Sequence, residues 1–286
     1  MTQENVLSKV RELRKITGAG FNDCNIAIKE CGGDIEKSIE LLRVKGISKA
    51  STKIMERTAK EGLICIYNSE EGKSIIEINC ETDFVAKNNE FLNFCQNLSK
   101  INFINKGNLE KIKKTKMVDG FTVDDNLIKL ISKIGEKIKI KRVKYIANNG
   151  QKTFAYTHNA INDNIGKLGV IVSIKSNDFN DKVLDFGKKL SMHIAASNPL
   201  SLDINSLDPK IIEKEKELIK EELKNSGKSD NICEKILIGR IEKFKQENTL
   251  LNQSWVIDPK KQVKDIINDL NSKINIIDFV RYKIGE

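Results

Sequence analysis

The amino-acid sequence predicts an α+β protein, and three features of its 286 residues support that prediction. Short amphipathic segments open the chain, two stretches rich in β-branched residues each precede an amphipathic helix, and a strongly charged segment carries two apolar stripes. A chain of this length can bury a sizeable core in one or two domains. We expect a three-helix module at 1–46, a linker at 47–61, a core of two α+β subdomains with antiparallel sheets at 62–140 and 141–286, a projecting antiparallel helical hairpin inserted at 208–247, and a C-terminal helix at 258–271.

The amino-terminal module is predicted from helical periodicity and from glycines that break it. Val10 and Leu13 lie at the spacing of one helix face, and Gly18 and Gly20 interrupt the pattern. A bundle of this size has only marginal stability by itself. The second and third helices are expected at 22–31 and between Asp34, which can cap the third, and Gly46.

The core is predicted from two sheet-forming stretches. Strands are expected at 63–67 and 74–79, with a helix near 88–104 after them and a further helix beginning at Asp124 or Asp125. The pattern then repeats in kind, so we expect a duplicated core in which each half contains a sheet followed by a helix. The elements expected in the second half are strands at 138–147, 153–158 and 168–175, a helix at 179–197 and a last strand at 274–284.

Two Asp-Pro pairs predict helix starts in the last third of the chain. Asp208-Pro209 can cap a helix, and apolar residues seven positions apart follow it, such as Ile212 and Ile219. A second apolar helix after a short turn completes an antiparallel hairpin. Asp258-Pro259 is expected to start the C-terminal helix in the same way.

Charge and cysteine content restrict the cellular context and the classes of partner. The net charge is +9, and thirteen basic against five acidic side chains concentrate this excess in residues 100–144. We interpret the stretch as a Lys-rich solvated face, and an RNA-binding surface is the alternative. No run is long and apolar enough for a membrane helix, and the charged start does not resemble a signal peptide. We therefore expect a cytoplasmic protein whose six cysteines are reduced thiols.

The sequence contains none of the motifs that mark common catalytic or nucleotide-binding sites. The phosphate loop, the dinucleotide fingerprint, the nucleophile elbow and the zinc-binding helix motif are all missing. Only two histidines are present, and no cysteine or carboxylate spacing fits a metal site with them. His193 is expected to be a packing histidine within a helix, and His158 to point outward at a strand end. We expect no enzyme activity, no metal and no cofactor.

The segment at 80–88 joins a hydrophobic strand to a helix and has two interpretations. In the first it is an ordinary strand-to-helix turn, with Thr82 or Asp83 as the cap and Phe84 and Val85 entering the core. In the second, Phe84 protrudes as an aromatic wedge and Asp83 makes polar contacts beside it. Aromatic residues of this kind are good interface anchors because they desolvate a large area at little entropic cost.

At this segment the sequence resembles a known family. TDFVAKN at 82–88 is similar to the signature of bacterial elongation factor Ts, the nucleotide exchange factor of elongation factor Tu. The insert NAINDNIGK at 159–167 is longer and richer in asparagine than expected of that family. Further matches occur in the same order along almost the whole chain: VRELRKITGAGFNDCNIAI at 10–28, GGDIEKSIELLRVKG at 32–46, MHIAASNP at 192–199, LDPKIIEKEKELIKEE at 207–222, IGRIEKFKQE at 238–247 and LLNQSWVIDPKKQVKDII at 250–267.

The resemblance implies both an architecture and a mechanism. The amino-terminal module would be of the ubiquitin-associated-like type, and the hairpin would be a coiled coil. The protein would bind elongation factor Tu in its GDP-bound and nucleotide-free forms, disturb the Mg²⁺ and phosphate site, and promote GDP release. It would not itself bind nucleotide, a membrane or a specific nucleic acid.

The resemblance also implies which residues contact that partner. Phe84 would insert between helices of the GTPase, and Asp83 would bind nearby and disturb the Mg²⁺ region. His158 would contact a different domain, while the amino-terminal module and the helix at 259–270 would grip the nucleotide-binding domain. The other residues expected to bind the partner are Thr82, Val85, Ala86, Lys87 and Asn88 in the same segment and Val10, Leu13, Gly18 and Gly20 in the amino-terminal module.

Two other functions stay open as alternatives. A basic RNA-binding protein of the translation apparatus would use residues 100–144, although this stretch lacks the paired aromatic positions of a single-strand binder. A non-exchanging scaffold would bind the GTPase equally well with and without GDP. An exchange factor must instead bind the GDP-bound form more weakly, because the coupling between two ligands is reciprocal.

Overall fold

The computed structural model describes residues 3–17, 19–44, 57–162, 164–224, 229–270 and 273–286. These residues confirm the α+β class, because helices pack on antiparallel sheets. The strands are β1 (Glu61–Ser69), β2 (Gly72–Cys80), β3 (Lys139–Ala147), β4 (Lys152–His158), β5 (Ile165–Gly166), β6 (Leu168–Ser176) and β7 (Ile274–Lys283). The helices are α1 (Gln3–Thr17), α2 (Phe21–Glu30), α3 (35–44), α4 (Asp83–Ala86), α5 (Asn89–Ile104), α6 (Leu109–Lys114), α7 (Val123–Ile134), α8 (Asp181–Ser197), α9 (Pro209–Lys224), α10 (Asp230–Asn248) and α11 (Val263–Asp269).

The amino-terminal module consists of α1, α2 and α3 in the described residues, as predicted. Val10 and Leu13 of α1 are buried against the other two helices. Asp34 caps α3, because its side-chain oxygen accepts a hydrogen bond from the Lys37 amide at 3.0 Å. Most of the linker predicted at 47–61 lies outside the described residues.

The first sheet has the strand order β3-β2-β1-β5, and its neighbouring strands are antiparallel. β1 has consecutive apolar residues because both of its faces are buried. Leu63 and Cys65 belong to the cluster around α5 and α7, whereas Ile64 and Ile66 belong to the cluster between the sheets. β5 was not predicted as a strand; it lies in the insert at 159–167 and completes this sheet beside β1.

β3 belongs to the first sheet, so its prediction as a strand of the second half is wrong. It pairs with β2 along its length, from the Gly72–Ala147 pair to the Asn79–Lys139 pair. Alternation of apolar residues identifies a strand and its buried face but not the neighbour with which it pairs. The predicted boundary between the subdomains, at 140/141, consequently falls inside β3.

The second sheet has the order β4-β6-β7 and carries α8 on its outer face. Gly187 allows α8 to approach closely, because a Cβ placed there would lie 2.4 Å from the ring of Phe154 in β4. Between the sheets, Ile64, Ile75 and Ile171 are buried in one cluster. Within the described residues the core therefore has four layers: α5 to α7, the first sheet, the second sheet and α8.

The helical hairpin forms where it was predicted, with α9 beginning at Pro209. Ile219 of α9 and Ile241 of α10 are buried, and Glu222 forms an ion pair with Arg240 at 2.6 Å. The turn that joins the two helices, at 225–228, lies outside the described residues.

The C-terminal helix begins later than predicted, at Val263 rather than after Pro259. Asp258 instead starts a turn, in which its carbonyl accepts a hydrogen bond from the Lys261 amide at 3.0 Å. The chain then folds back, since the Val263 amide donates to the Gln253 carbonyl at 3.0 Å. This long-range pairing competes with the local helix signal of Asp-Pro and displaces the start of α11.

Candidate partner-binding surface

The segment at 82–88 forms a single helical turn between β2 and α5. Thr82 caps this turn, α4, because its hydroxyl oxygen accepts a hydrogen bond from the Val85 amide. Asn88 then caps α5 through its side-chain oxygen, which accepts from the Glu90 amide at 2.8 Å. The two caps fix the turn at both of its ends.

Phe84 points into solvent, while the two residues after it are buried. Phe84 exposes 80% of its surface, whereas Val85 and Ala86 pack into the cluster around α5. The interpretation in which Phe84 and Val85 both enter the core is therefore wrong for Phe84 and right for Val85. A large apolar side chain held in water by a capped turn has the properties of an interface anchor.

Asp83 lies beside Phe84 and forms an ion pair with Lys87. The distance from Asp83 Oδ2 to Lys87 Nζ is 2.9 Å. This hydrogen bond holds the pKa of Asp83 below its ordinary value, so the side chain is negatively charged at neutral pH. Both side chains are exposed, so the pair contributes little to folding and its charges remain accessible to a partner.

Two carboxylates connect the start of this turn to the chain that follows α7. Glu136 accepts hydrogen bonds from the Thr82 amide at 3.1 Å and from the Thr82 hydroxyl at 2.8 Å. In the opposite direction, Glu81 accepts a hydrogen bond from the Lys137 amide and pairs with Arg57 at 3.1 Å. Sequence reasoning missed Glu136, because its partner lies 54 residues earlier and no local spacing marks the pair.

His158 ends β4 with an exposed side chain, as predicted. Its Nδ1 lies 2.9 Å from the hydroxyl of Tyr156. The insert that follows folds back on the first sheet, where Lys167 pairs with Glu61 at 2.6 Å. Lys167 is also close enough to Asp83 to contribute to the lowering of that pKa, after the larger effect of Lys87. The insert and the segment at 82–88 therefore lie near the same end of β1.

The four residues expected to bind a partner from the amino-terminal module differ in position. Val10 and Leu13 are buried between the helices, so neither side chain offers surface to a partner in this fold. The apolar stripe of an amphipathic helix is its core face, and a partner reaches the other faces. Gly20 is exposed just before α2, and Gly18 lies outside the described residues.

His193 is a packing residue of α8, as predicted. It is fully buried and stacks on Trp255, with ring centroids 5.1 Å apart. Its Nδ1 accepts a hydrogen bond from the Val256 amide at 3.3 Å, so the ring proton lies on Nε2, which is 3.1 Å from the side-chain oxygen of Gln253. Burial lowers the pKa of His193, which keeps the ring neutral.

Six of the thirteen basic residues at 100–144 form ion pairs within the described residues. Lys141 and Arg142 both pair with Glu77, which is buried in β2. Further pairs join Lys113 to Glu110, Lys129 to Asp119, Lys133 to Glu90 and Lys144 to Asp278. Pairing of this kind reduces the positive charge that the stretch can offer to phosphates.

Metal-binding and membrane-spanning features are absent from the described residues. No three or more histidine, cysteine, aspartate or glutamate side chains there converge as a metal ion would require. None of the helices found there combines the length and the apolar character needed to cross a membrane. Cys80 is a buried thiol, and burial raises its pKa to about 12, which makes it a poor nucleophile at neutral pH.

Comparison with known proteins identifies the family. The family model described as Elongation factor TS matches residues 81–286, which include the segment at 82–88. Elongation factor Ts of Clostridium kluyveri is 40% identical over 286 residues, covering 97% of this chain and 92% of the relative. Elongation factor Ts of Gluconobacter oxydans is 38% identical over 277 residues, covering 97% of this chain and 91% of the relative. Elongation factor Ts of Rickettsia bellii is 36% identical over 292 residues, covering 100% of this chain and 94% of the relative. The chain belongs to the elongation factor Ts family.

Proposed function

We propose that this chain is a guanine nucleotide exchange factor that works in the cytoplasm and performs no covalent catalysis. It binds elongation factor Tu in the GDP-bound and nucleotide-free forms, disturbs the Mg²⁺ and phosphate site, and promotes GDP release so that GTP can bind. The observation that carries this proposal is the exposed phenylalanine at position 84, fixed on a capped turn in the segment that resembles the family signature. Phe84 inserts between helices of the GTPase, and Asp83 acts beside it near the Mg²⁺ region.

Each residue of the segment has a distinct part in this mechanism. Phe84 supplies apolar surface that loses its water only when the partner is bound, and Asp83 supplies a negative charge. Lys87 pairs with Asp83 in the free protein and can be displaced, since both side chains are exposed. The residues that hold the turn in place are Thr82, Val85, Ala86 and Asn88.

The physical basis of exchange is thermodynamic linkage. If binding of this chain lowers the affinity of the GTPase for GDP by some factor, GDP lowers the affinity for this chain by the same factor. Each tenfold acceleration of GDP release requires a barrier lower by about 1.4 kcal/mol. Full burial of a phenylalanine is worth about 1.5–3 kcal/mol, or roughly two powers of ten at most. A broad surface that includes His158, α11 and the exposed faces of the amino-terminal module therefore acts together with the wedge.

The two alternatives make different predictions for binding. An RNA-binding protein needs free positive charge, and ion pairs reduce that charge at six of the thirteen basic residues of 100–144. Its affinity for RNA would fall steeply as salt rises. A non-exchanging scaffold would bind the GTPase with equal affinity whether or not GDP is present.

The wedge is tested by release of a fluorescent GDP analogue from purified elongation factor Tu at increasing concentrations of this chain. We expect Phe84→Ala to lower the maximal release rate by about tenfold or more, in proportion to the apolar contact that is lost. Val118→Ala is the matched control, because Val118 is also an exposed apolar residue, in the loop between α6 and α7, and its variant should behave as the wild type. Unchanged release kinetics with a folded Phe84→Ala protein would refute the wedge assignment.

A further inference from the structure

The turn that carries Phe84 is too short to hold its own orientation. α4 has four residues, and an isolated helical turn of that length is unstable because its nucleation is unfavourable. Its position must come from contacts with the rest of the fold. Val85 and Ala86 supply the apolar part of that contact, since both are buried. The polar part is supplied at Thr82, the residue that caps the turn.

Glu136 provides the polar contact at Thr82. Its carboxylate accepts the Thr82 amide at 3.1 Å and the Thr82 hydroxyl at 2.8 Å, so both donors of this residue end on one side chain. The hydroxyl oxygen in turn accepts the Val85 amide. The Glu136 carboxylate, the Thr82 hydroxyl and the Val85 amide thus form a continuous chain of hydrogen bonds that enters α4. The hydrogen bonds in such a chain strengthen one another. Hydrogen bonds to an ionised group are about twice as strong as neutral ones.

The chain after α7 holds Glu136 in place from the opposite direction. The Lys137 amide donates to Glu81, and Lys137 Nζ donates to the Arg57 carbonyl at 2.7 Å. Arg57 also pairs with Glu81 at 3.1 Å, so positive charge lies next to that carboxylate. Glu136 and Glu81 each bind the backbone of the other's segment, which fixes the two segments to one another.

We propose that Glu136 is a positioning residue for nucleotide exchange. It does not need to touch the GTPase: it holds Thr82 and thereby fixes the direction in which α4 presents Phe84. This inference rests on the function proposed above. Without the carboxylate, Phe84 would stay exposed but would be less ordered, and its ordering would have to occur as it inserts between the GTPase helices, which raises the barrier to GDP release in the bound complex.

Three variants separate this role from a general effect on the fold. Glu136→Ala removes both acceptors. Glu136→Gln is the conservative variant, because its amide oxygen can accept the Thr82 amide and its NH₂ group can donate to the Thr82 hydroxyl. Glu110→Ala is the control, since Glu110 is an exposed glutamate that forms a short-range ion pair with Lys113 at 3.1 Å.

In the GDP-release assay, we expect Glu136→Ala to lower the maximal rate by about tenfold, the effect of losing a charge-assisted hydrogen bond. The concentration for half-maximal effect should change by less than about twofold, because the remaining interface is intact. Glu136→Gln should restore most of the rate, and Glu110→Ala should match the wild type. In a Phe84→Ala background, Glu136→Ala should have no further effect, because the two act through one contact. The proposal would be overturned if Glu136→Ala had wild-type kinetics. It would also be overturned if Glu136→Ala lowered the maximal rate by the same factor in the Phe84→Ala background as in the wild type.

Amide hydrogen exchange in the free chain tests the same claim without the GTPase. We expect Glu136→Ala to accelerate exchange at residues 82–87 by about tenfold, corresponding to the lost hydrogen bonds, while α5 keeps its protection. If the wild-type chain fails to accelerate GDP release, the proposed function is wrong, and hydrogen exchange still decides whether Glu136 orders the turn. Unchanged protection at 82–87 in Glu136→Ala would refute the positioning role in either case.

Discussion

Phe84 and Val85 are adjacent in the chain and face opposite environments, because Phe84 exposes 80% of its surface and Val85 exposes 7%. The single turn of α4 separates them: one side rests on the cluster around α5, and the other extends into solvent. Neighbouring positions therefore differ in role: Val85 packs in the core, and Phe84 is the residue proposed to contact the partner. Substitutions at the two positions should have separable effects.

A matched pair of alanine variants measures this separation. We expect Phe84→Ala to change the free energy of unfolding by less than about 0.5 kcal/mol, as for an exposed site. Val85→Ala should lower it by about 1–3 kcal/mol, because two buried methyl groups are removed from a packed cluster. Urea denaturation of both variants checks the prediction, and equal losses of stability would contradict it.

Glu77 should be a large contributor to stability among the charged residues of the first sheet. Its carboxylate is fully buried in β2 and is paired with Lys141 and Arg142. Removing one partner of a buried ionic group leaves the others without compensation, so Glu77→Ala should lower the free energy of unfolding by about 3 kcal/mol. Glu110→Ala, at an exposed pair, should lower it by less than about 0.5 kcal/mol. Similar urea midpoints for the two variants would show that the ion pairs of Glu77 do not stabilise the fold more than an exposed pair does.

Gly187 and Gly239 offer a second matched comparison, because both lie within helices. A Cβ at position 187 would lie 2.4 Å from the Phe154 ring, whereas one at position 239 would meet nothing within 4 Å. We expect Gly187→Ala to lower the thermal midpoint, at a cost of about 1–3 kcal/mol from overpacking. Gly239→Ala should raise the thermal midpoint, because alanine has the higher helix propensity and adds about 0.5–1 kcal/mol to the free energy of unfolding. Calorimetry of both variants tests the prediction, and a stabilising Gly187→Ala would disprove the close packing of α8 on β4.

His193 should make stability fall as the pH is lowered. Burial lowers its pKa in the native protein, so the unfolded chain takes up a proton at a higher pH than the native protein does. The stability present above a pH of about 6.5 is therefore lost as the pH falls toward the native pKa. We expect His193→Gln to show a weaker fall in the free energy of unfolding between pH 6.5 and 5, by up to about 1.4 kcal/mol per pH unit. His158 is present in both proteins and cancels. Parallel pH profiles would contradict this assignment.

Local signals were sufficient to predict most of the individual elements. Helical spacing and Asp-Pro caps located α9 at Pro209, and strand-like runs located β1, β2 and β6. The sequence of the segment at 82–88 also predicts a turn between a strand and a helix, although the spacing of its residues alone does not decide whether Phe84 is buried or exposed. Its exposure depends on the angle at which α4 meets the core, which the Thr82 cap and the burial of Val85 determine.

Features that depend on distant partners were not predictable. β3 pairs with β2 across 60 to 75 residues, and β5 is a strand only because β1 has a free edge for it to join. The start of α11 is set by the return of the chain to Gln253. Glu136 carries no local mark of its contact with Thr82. In each case the deciding energy comes from a contact that the periodicity of one segment does not encode.

Substoichiometric kinetics test whether this chain catalyses the release of GDP from elongation factor Tu. Elongation factor Tu loaded with a fluorescent GDP analogue is mixed with excess unlabelled GDP and about one molecule of this chain per twenty of the GTPase. We expect all of the bound analogue to leave faster than at the intrinsic rate, because each molecule of the chain acts repeatedly. Release at the intrinsic rate, with binding of the chain to the GTPase demonstrated in the same sample, would contradict the exchange function and favour the scaffold.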